Sequence, residues 1–507
     1  MPGAPPRCDR AAQPIVTMPT LSFYRRALLV LLALAVLPAC DSEDPDPDDA
    51  DCPPIEASIT AEWTEEAAES ITRTAATTIP VIDASERPDF APDLWVWDTW
   101  PLRDRDGSVA VVDGYYVNFS LTAPDDVLPG ARHGIAEIRY FYSTDGENWE
   151  LGGRVFTDGD ALGQKQWAGS ALYDNGEVYL YYTASGADGG NVQGGEGAGL
   201  LGRGSATNRQ EIALATGAEL VTGEDGVSFE GAWTHTTILT ADGDLYQTYE
   251  QSIGGIIYAF RDPWFYEDPY TGETYLLFTA NTPIDDDTTY PCDPVMIGGG
   301  DYASGSNEGG ETLAYFNGSV GIARSPSGDP TQWELLPPLM EGLCVNQQLE
   351  RAHIVNRDDQ YYLFFSSHKF TFAEQLTAPA DGFPDGLYGF VSDCLRSEEY
   401  RPLNGSGLVL NNPLGEPFQT YSYLVLPDFS VISYFNYFNL GGIPLNEVGA
   451  QPEEFQFSRF AGTQAPTLRL GVNGTSTQIT EVLGFGVIPE SATRSSSGGA
   501  LVRGLPF

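Results

Sequence analysis

One short pattern returns along the chain and restricts its fold more than any other feature. A turn leads into an aromatic-rich strand at Asp113-Gly114-Tyr115-Tyr116-Val117-Asn118-Phe119. It returns at Gly176-Glu177-Val178-Tyr179-Leu180-Tyr181-Tyr182 and at Gly272-Glu273-Thr274-Tyr275-Leu276-Leu277-Phe278. A fourth copy is Asp359-Gln360-Tyr361-Tyr362-Leu363-Phe364-Phe365, and a weaker fifth is Ser430-Val431-Ile432-Ser433-Tyr434-Phe435. Further strands follow the first four, at Ala136 to Tyr142, Glu211 to Ala215, Val320 to Ala323 and Leu387 to Val391. Small antiparallel meanders repeated at spacings of roughly 60 to 100 residues mark a β-propeller, and five copies predict five blades. A large β-sandwich is the alternative, but sandwiches lack such repeats. The 56 Gly, 36 Pro, 26 Tyr and 25 Phe suit an all-β fold of short strands and many turns.

The repeat also predicts where chemistry belongs. Before each aromatic strand lies a segment whose polar residues break strand alternation. These are Trp97-Asp98-Thr99-Trp100, Trp167-Ala168-Gly169-Ser170, Arg261-Asp262-Pro263, Glu350-Arg351-Ala352-His353 and Tyr421-Ser422-Tyr423. The first strand of a propeller blade lines the central channel, so five dispersed segments converge on one axial pocket. Asp98, Asp262 and Glu350 are its carboxylates. A retaining glycosidase uses two, one as nucleophile and one as acid/base, while a third can stabilise an oxocarbenium-like transition state. Trp97, Trp100 and Trp167 offer flat faces to a sugar ring, and Arg261 and Arg351 can fork onto hydroxyls or carboxylates. A single Asp in a turn or before Pro is usually structural, so the shared position at the head of successive repeats carries the argument.

The amino terminus reads as an address. Arg25-Arg26 precede an apolar run from Ala27 to Leu37, ending in Leu37-Pro38-Ala39-Cys40. A basic segment, a short apolar stretch and small residues make a secretory signal over residues 1–39, with Met18 an alternative start. Eleven apolar residues are too few for a spanning helix. Leu-Pro-Ala-Cys resembles a bacterial lipobox, which implies lipid attachment at Cys40 and an exported protein, anchored to the cell envelope or secreted. Residues 40–57 are expected to be an acidic lipidated tether, self-repelling from Asp41 to Asp51. Residues 58–507 form the expected catalytic propeller, opening on a short helical segment.

The 25 Lys+Arg against 71 Asp+Glu give a net charge of −46, which excludes a nucleic-acid partner by repulsion of phosphate. Only Lys165 and Lys369 are lysines. Acid excess with lysine depletion suits a protein working in high salt, where self-repulsion is screened.

Several motifs together resemble glycoside hydrolase family 68, the bacterial levansucrases and inulosucrases, most of all the Gram-negative levansucrases. Val96-Trp97-Asp98-Thr99-Trp100-Pro101-Leu102 is similar to the nucleophile motif, and Arg261-Asp262-Pro263 to that of the transition-state stabiliser. Gln348-Leu349-Glu350-Arg351-Ala352-His353 matches the acid/base motif. Trp167-Ala168-Gly169-Ser170 resembles a sugar-binding segment in which the family has serine at the place of Ala168. His368-Lys369-Phe370-Thr371-Phe372 and Gly386-Leu387-Tyr388-Gly389-Phe390-Val391 resemble a substrate-contacting segment. The likeness runs from about Trp63 to the C-terminus. It implies that Asp98 attacks the fructosyl anomeric carbon of sucrose, that Glu350 is acid and base, and that Asp262 holds fructosyl hydroxyls. Trp97, Trp167, Ala168, Arg261, Gln348, Arg351, His368 and Tyr421 would line the substrate subsites. The implied product is fructan built on fructan acceptors by a monomer, with β-2,6 (levan) expected over inulin because small rim differences set acceptor geometry.

Removal of Cys8 with the signal and lipidation of Cys40 leave Cys52, Cys292, Cys344 and Cys394, for which spacing alone allows three full pairings. The resemblance implies a Cys292–Cys344 bridge, worth about 3–4 kcal/mol on the chain-entropy model. It implies no cofactor and no metal, the calcium of Gram-positive relatives included. Cys52 is then expected in the tether and Cys394 as an unpaired buried thiol. Two rivals remain: an invertase-like β-fructofuranosidase, whose Asn-Asp-Pro-Asn and Glu-Cys markers are missing here, and a non-catalytic glycan-binding lipoprotein.

Overall fold

The computed structural model describes residues 52–157, 159–186, 209–252, 258–283, 316–373 and 376–494. The signal, Cys40, the acidic run from Asp41 to Asp51, and Cys292 lie outside them.

Strands dominate, and they group into five antiparallel meanders in chain order. The first comprises Leu94–Arg103, Tyr115–Pro124, Glu137–Ser143 and Glu150–Arg154. The second comprises Lys165–Asp174, Glu177–Ser185, Gln210–Thr216 and Thr234–Leu239. Phe260–Glu267, Thr274–Asn281, Gly318–Arg324 and Glu334–Glu341 make the third. Glu350–Arg357, Gln360–Ser367 and Gly386–Ser392 begin the fourth, with Arg401–Pro402 and Leu408–Asn411 on its outer edge. The fifth holds Thr420–Val425, Ser430–Tyr437, Pro466–Asn473 and Ser476–Phe485. Each aromatic repeat is the second strand of a meander. Three begin at two-residue turns with positive φ, Asp113-Gly114, Asn175-Gly176 and Asp358-Asp359. Such turns twist the way the strands do, which fixes hairpin register.

The leading strands of the five meanders touch one another in cyclic order, first to second and so on, and fifth to first. Among the described residues, the leading strands of the first two meanders also pair through the backbone, at Leu102–Ala171 and Arg103–Leu172. Fully buried Trp97, Trp100, Tyr181, Tyr182, Tyr362 and Tyr423 fill the spaces between and around these strands. Helix is scarce; the first helix is Glu65–Glu69, capped by the Thr64 side chain.

The cysteines depart from expectation. Cys52 and Cys394 form a disulfide, so Cys52 is not in a free tether and Cys394 is not an unpaired thiol. Arg396 explains the meeting. Its buried guanidinium donates to Ile55 O, Ile59 O, Pro337 O and Pro338 O, pinning the N-terminal strap against the third meander. Ala61–Glu62 then pairs in parallel with Met340–Glu341. Cys344 is also disulfide-bonded, and Cys292, its expected partner, lies outside the described residues.

Candidate active site

All five leading strands carry a β-bulge at the same place. Register slips between Trp97 and Thr99, Trp167 and Gly169, Arg261 and Trp264, Glu350 and His353, and Tyr421 and Leu424. Four of the bulges hold a left-handed residue: Asp98 at φ 45, Asp262 at φ 58, Arg351 at φ 55 and Ser422 at φ 60. A bulge re-aims side chains, and non-glycine residues held at positive φ cluster where function demands a fixed geometry. Trp97, Trp167, Arg261, Glu350 and Tyr421 each precede the bulge residue. In the second strand the bulge is flat, but space is short: a Cβ on Gly169 would lie 1.9 Å from Tyr181 O.

The second strand of one meander locks the bulge of the next. Thr183 Oγ1 accepts from the Asp262 amide at 2.9 Å and donates to Ala168 O at 3.0 Å. Thr279 Oγ1 accepts from the Arg351 amide at 3.0 Å and donates to Asp262 Oδ2 at 3.2 Å. Ser366 Oγ accepts from the Tyr423 amide at 3.0 Å. Sequence reasoning missed these hydroxyls. The signal was present, because each is a hydroxyl residue at the same repeat position, directly after the aromatic run of its strand.

The bulges bring the three carboxylates into one charge network. Arg261 Nη2 donates to Glu350 Oε1 at 2.6 Å, and its Nε stands 3.4 Å from Asp262 Oδ2. Tyr421 OH donates a hydrogen bond to Glu350 Oε2. With its amide oriented to satisfy both neighbours, Gln348 donates to Glu350 Oε1 and accepts from Arg261 Nη2, each at 3.2 Å. Arg351 ties its leading strand to the fifth and the first: it donates to Ser422 O at 3.0 Å, to Ser422 Oγ at 2.7 Å and to Thr99 O at 2.8 Å. His368 stacks on Tyr421 with ring centroids 3.6 Å apart and holds Asp385 at 3.0 Å through Nδ1. Trp167 donates to His133 O at 3.0 Å, and the His133 ring meets Trp97 edge-on at 5.4 Å. Arg132, behind them, lies 5.2 Å from the Trp97 ring and donates to Tyr434. His133, Arg132 and Asp385 were not anticipated from the sequence.

His353, within the acid/base motif, is structural. Its Nδ1 lies 2.7 Å from Arg351 O, and its Nε2 accepts from the Val425 amide at 2.9 Å. Burial pushes its pKa down to about 3, so the ring stays neutral.

The carboxylates titrate apart. Burial raises Asp98 against the opposing pull of Arg351 and the Ser422 hydroxyl. Burial also lifts Asp262 to about 7, despite Arg261. Glu350 is buried too, but the Arg261 and His368 charges and the Tyr421 bond outweigh burial and hold it below its ordinary value. Carboxyls driven apart by their surroundings are the arrangement acid–base chemistry uses. Among the described residues no group of His, Cys, Asp or Glu is placed to hold a metal ion.

The levansucrase/invertase family profile matches residues 54–489. A levansucrase of Erwinia amylovora is 36% identical over 431 residues, covering 82% of this chain and 92% of that one. An extracellular sucrase of Zymomonas mobilis is 33% identical over 441 residues, covering 85% and 95%. The solved inulosucrase of Halalkalicoccus jeotgali bound to kestose is 50% identical, with a TM-score of 0.75, covering 85% of this chain and 97% of that one. With the segments around Asp98, Asp262 and Glu350 all meeting at the bulges, a match over most of the chain shows that this chain belongs to glycoside hydrolase family 68.

Proposed function

We propose that this protein is a levansucrase: it cleaves sucrose, retains the fructosyl unit as a covalent ester on Asp98, and passes it to fructan or water. The five meanders, whose leading strands touch in cyclic order, are read as the blades of a propeller with the pocket on its axis. The observation that carries the reading is the shared bulge, which sets Asp98, Asp262 and Glu350 on the first, third and fourth leading strands with Arg261 between Asp262 and Glu350.

In the first step Asp98 forms a bond to the anomeric carbon while that carbon's bond to the glucosyl oxygen breaks. Glu350 gives its proton to the departing oxygen, and glucose leaves. In the second step Glu350 takes a proton from an acceptor hydroxyl, which attacks the same carbon and frees Asp98. Asp262 holds fructosyl hydroxyls and stabilises the developing positive charge. Trp97 and Trp167 bound the sugar, and Gln348, Arg351, His368 and Tyr421 complete the subsites. The Arg261 bridge favours ionised Glu350, so proton donation requires sugar hydroxyls to draw on Arg261 and loosen that hold. Ala168 supplies a backbone carbonyl to Thr183 but no hydroxyl, which predicts slower turnover than a serine would give.

Fifty per cent identity to a solved inulosucrase favours a second reading, β-2,1 transfer by the same chemistry. Incubation with sucrose tests both. Free glucose in excess of free fructose, with β-2,6 linkages in the product NMR spectrum, is the expected result. β-2,1 linkages would replace levan with inulin, and no glucose would overturn the enzyme reading. Export and lipid anchoring at Cys40 belong to the same proposal, with the Zymomonas mobilis relative named as extracellular in support.

A further inference from the structure

The leading strands have a second end. Past the bulges, toward the C-terminal ends of the leading strands, a small cavity opens among Arg103, Asp106, Trp264, Glu267, Asn356 and Val425. None of these belongs to the site described above. We propose that this cavity binds a monovalent inorganic anion of halide size against the Arg103 guanidinium.

Arg103 is a buried cation, 4% exposed, lying flat on the Trp264 ring at 3.4 Å. Of its five N–H donors, one is used, Nη2 to Phe265 O at 2.7 Å. Its Nε is enclosed without a partner, and so is Nε1 of Trp264, itself 6% exposed. Among the described residues no carboxylate is ion-paired with Arg103. The two acids beside the cavity are engaged elsewhere. Asp106 Oδ1 accepts from the Ser108 amide and hydroxyl, at 3.0 and 2.5 Å. Glu267 is paired with Arg105 at 2.7 Å. Burial pulls the Arg103 pKa down to about 9, outweighing Asp106, which acts on the Arg103 charge only through space, with no direct ion pair.

The surroundings select the ligand. Trp264, Ile354, Val355, Val425, Pro269 and Pro427 give the cavity apolar walls, which suit a weakly hydrated ion. Asp106 and Glu267 repel a multiply charged ion such as phosphate or sulfate more strongly than a monovalent one. The occupant would tie together the far ends of the leading strands that carry Asp98, Asp262, Glu350 and Tyr421.

Thermal unfolding at constant ionic strength tests the site, with sodium gluconate replaced stepwise by sodium bromide. The midpoint of the unaltered protein should rise and saturate, while that of Arg103→Met should not respond to the exchange. An equal rise in both, or none in the unaltered protein, would overturn the proposal. Crystals soaked in sodium bromide give a reading that does not depend on the variant's folding. An anomalous peak beside the Arg103 guanidinium is expected, and an absent peak means that only solvent occupies the cavity.

Discussion

Tyr421 shows how much one hydroxyl can govern. Its OH donates to Glu350, and burial together with the adjacent carboxylate keeps the phenol protonated. Removing it in Tyr421→Phe withdraws a bond that favours ionised Glu350, so the Glu350 pKa should rise. Because the acid must be protonated for glucose to leave, the alkaline limb of kcat/KM should move to higher pH. A limb that moves to lower pH would contradict this role. Asp262 makes a second prediction, with the opposite physical cause. Its folded pKa, about 7, lies above the ordinary carboxylate value, so it costs stability as pH rises from about 4 towards 7. The cost is absent below both values and complete above the folded one. Asp262→Asn should therefore gain stability over the parent across that window and hold a constant gain beyond it, read by denaturant midpoint at each pH. The motif acids and arginines were legible in the sequence because they sit at the head of each repeat. Arg132, His133 and Asp385 were not, since they reach the site from connecting segments with no repeat to flag them.

At the scale of elements, the aromatic repeat located the second strand of every meander, and the segments before it were the leading strands. Alternation could not reveal that each leading strand is bulged. The bulge shows itself only as polar residues out of phase, and its lock is a hydroxyl on the neighbouring meander. The strap at residues 52–62 was illegible for a different reason. The acidic run before it invites a reading of continued tether, whereas its order comes from the distant Arg396 and Cys394. The Cys52–Cys394 link spans 342 residues, and a loop that long is worth up to about 5–6 kcal/mol on the chain-entropy model. Cys394→Ser should lower the denaturant midpoint clearly while leaving kcat on sucrose within about twofold. A midpoint unchanged by that substitution would show that the Arg396 clamp alone holds the strap.

For the whole molecule, charge and chemistry separate. The proposed function takes Asp98, Asp262 and Glu350 for catalysis, and the run from Asp41 to Asp51 lies outside the described residues. The rest of the −46 excess faces few compensating cations, and a neutral sugar neither feels nor needs it. Salt should therefore act on stability: the thermal midpoint is expected to fall as sodium chloride drops from molar to about 10 mM. A midpoint independent of salt would remove the high-salt reading without touching the catalytic one. The catalytic reading rests on Asp98, and the most direct test is glucose release from sucrose by the parent protein and by Asp98→Asn, with near-ultraviolet circular dichroism confirming equal folding. The account predicts a rate lower by about four orders of magnitude or more. Turnover within tenfold of the parent would contradict the assignment of Asp98 as nucleophile.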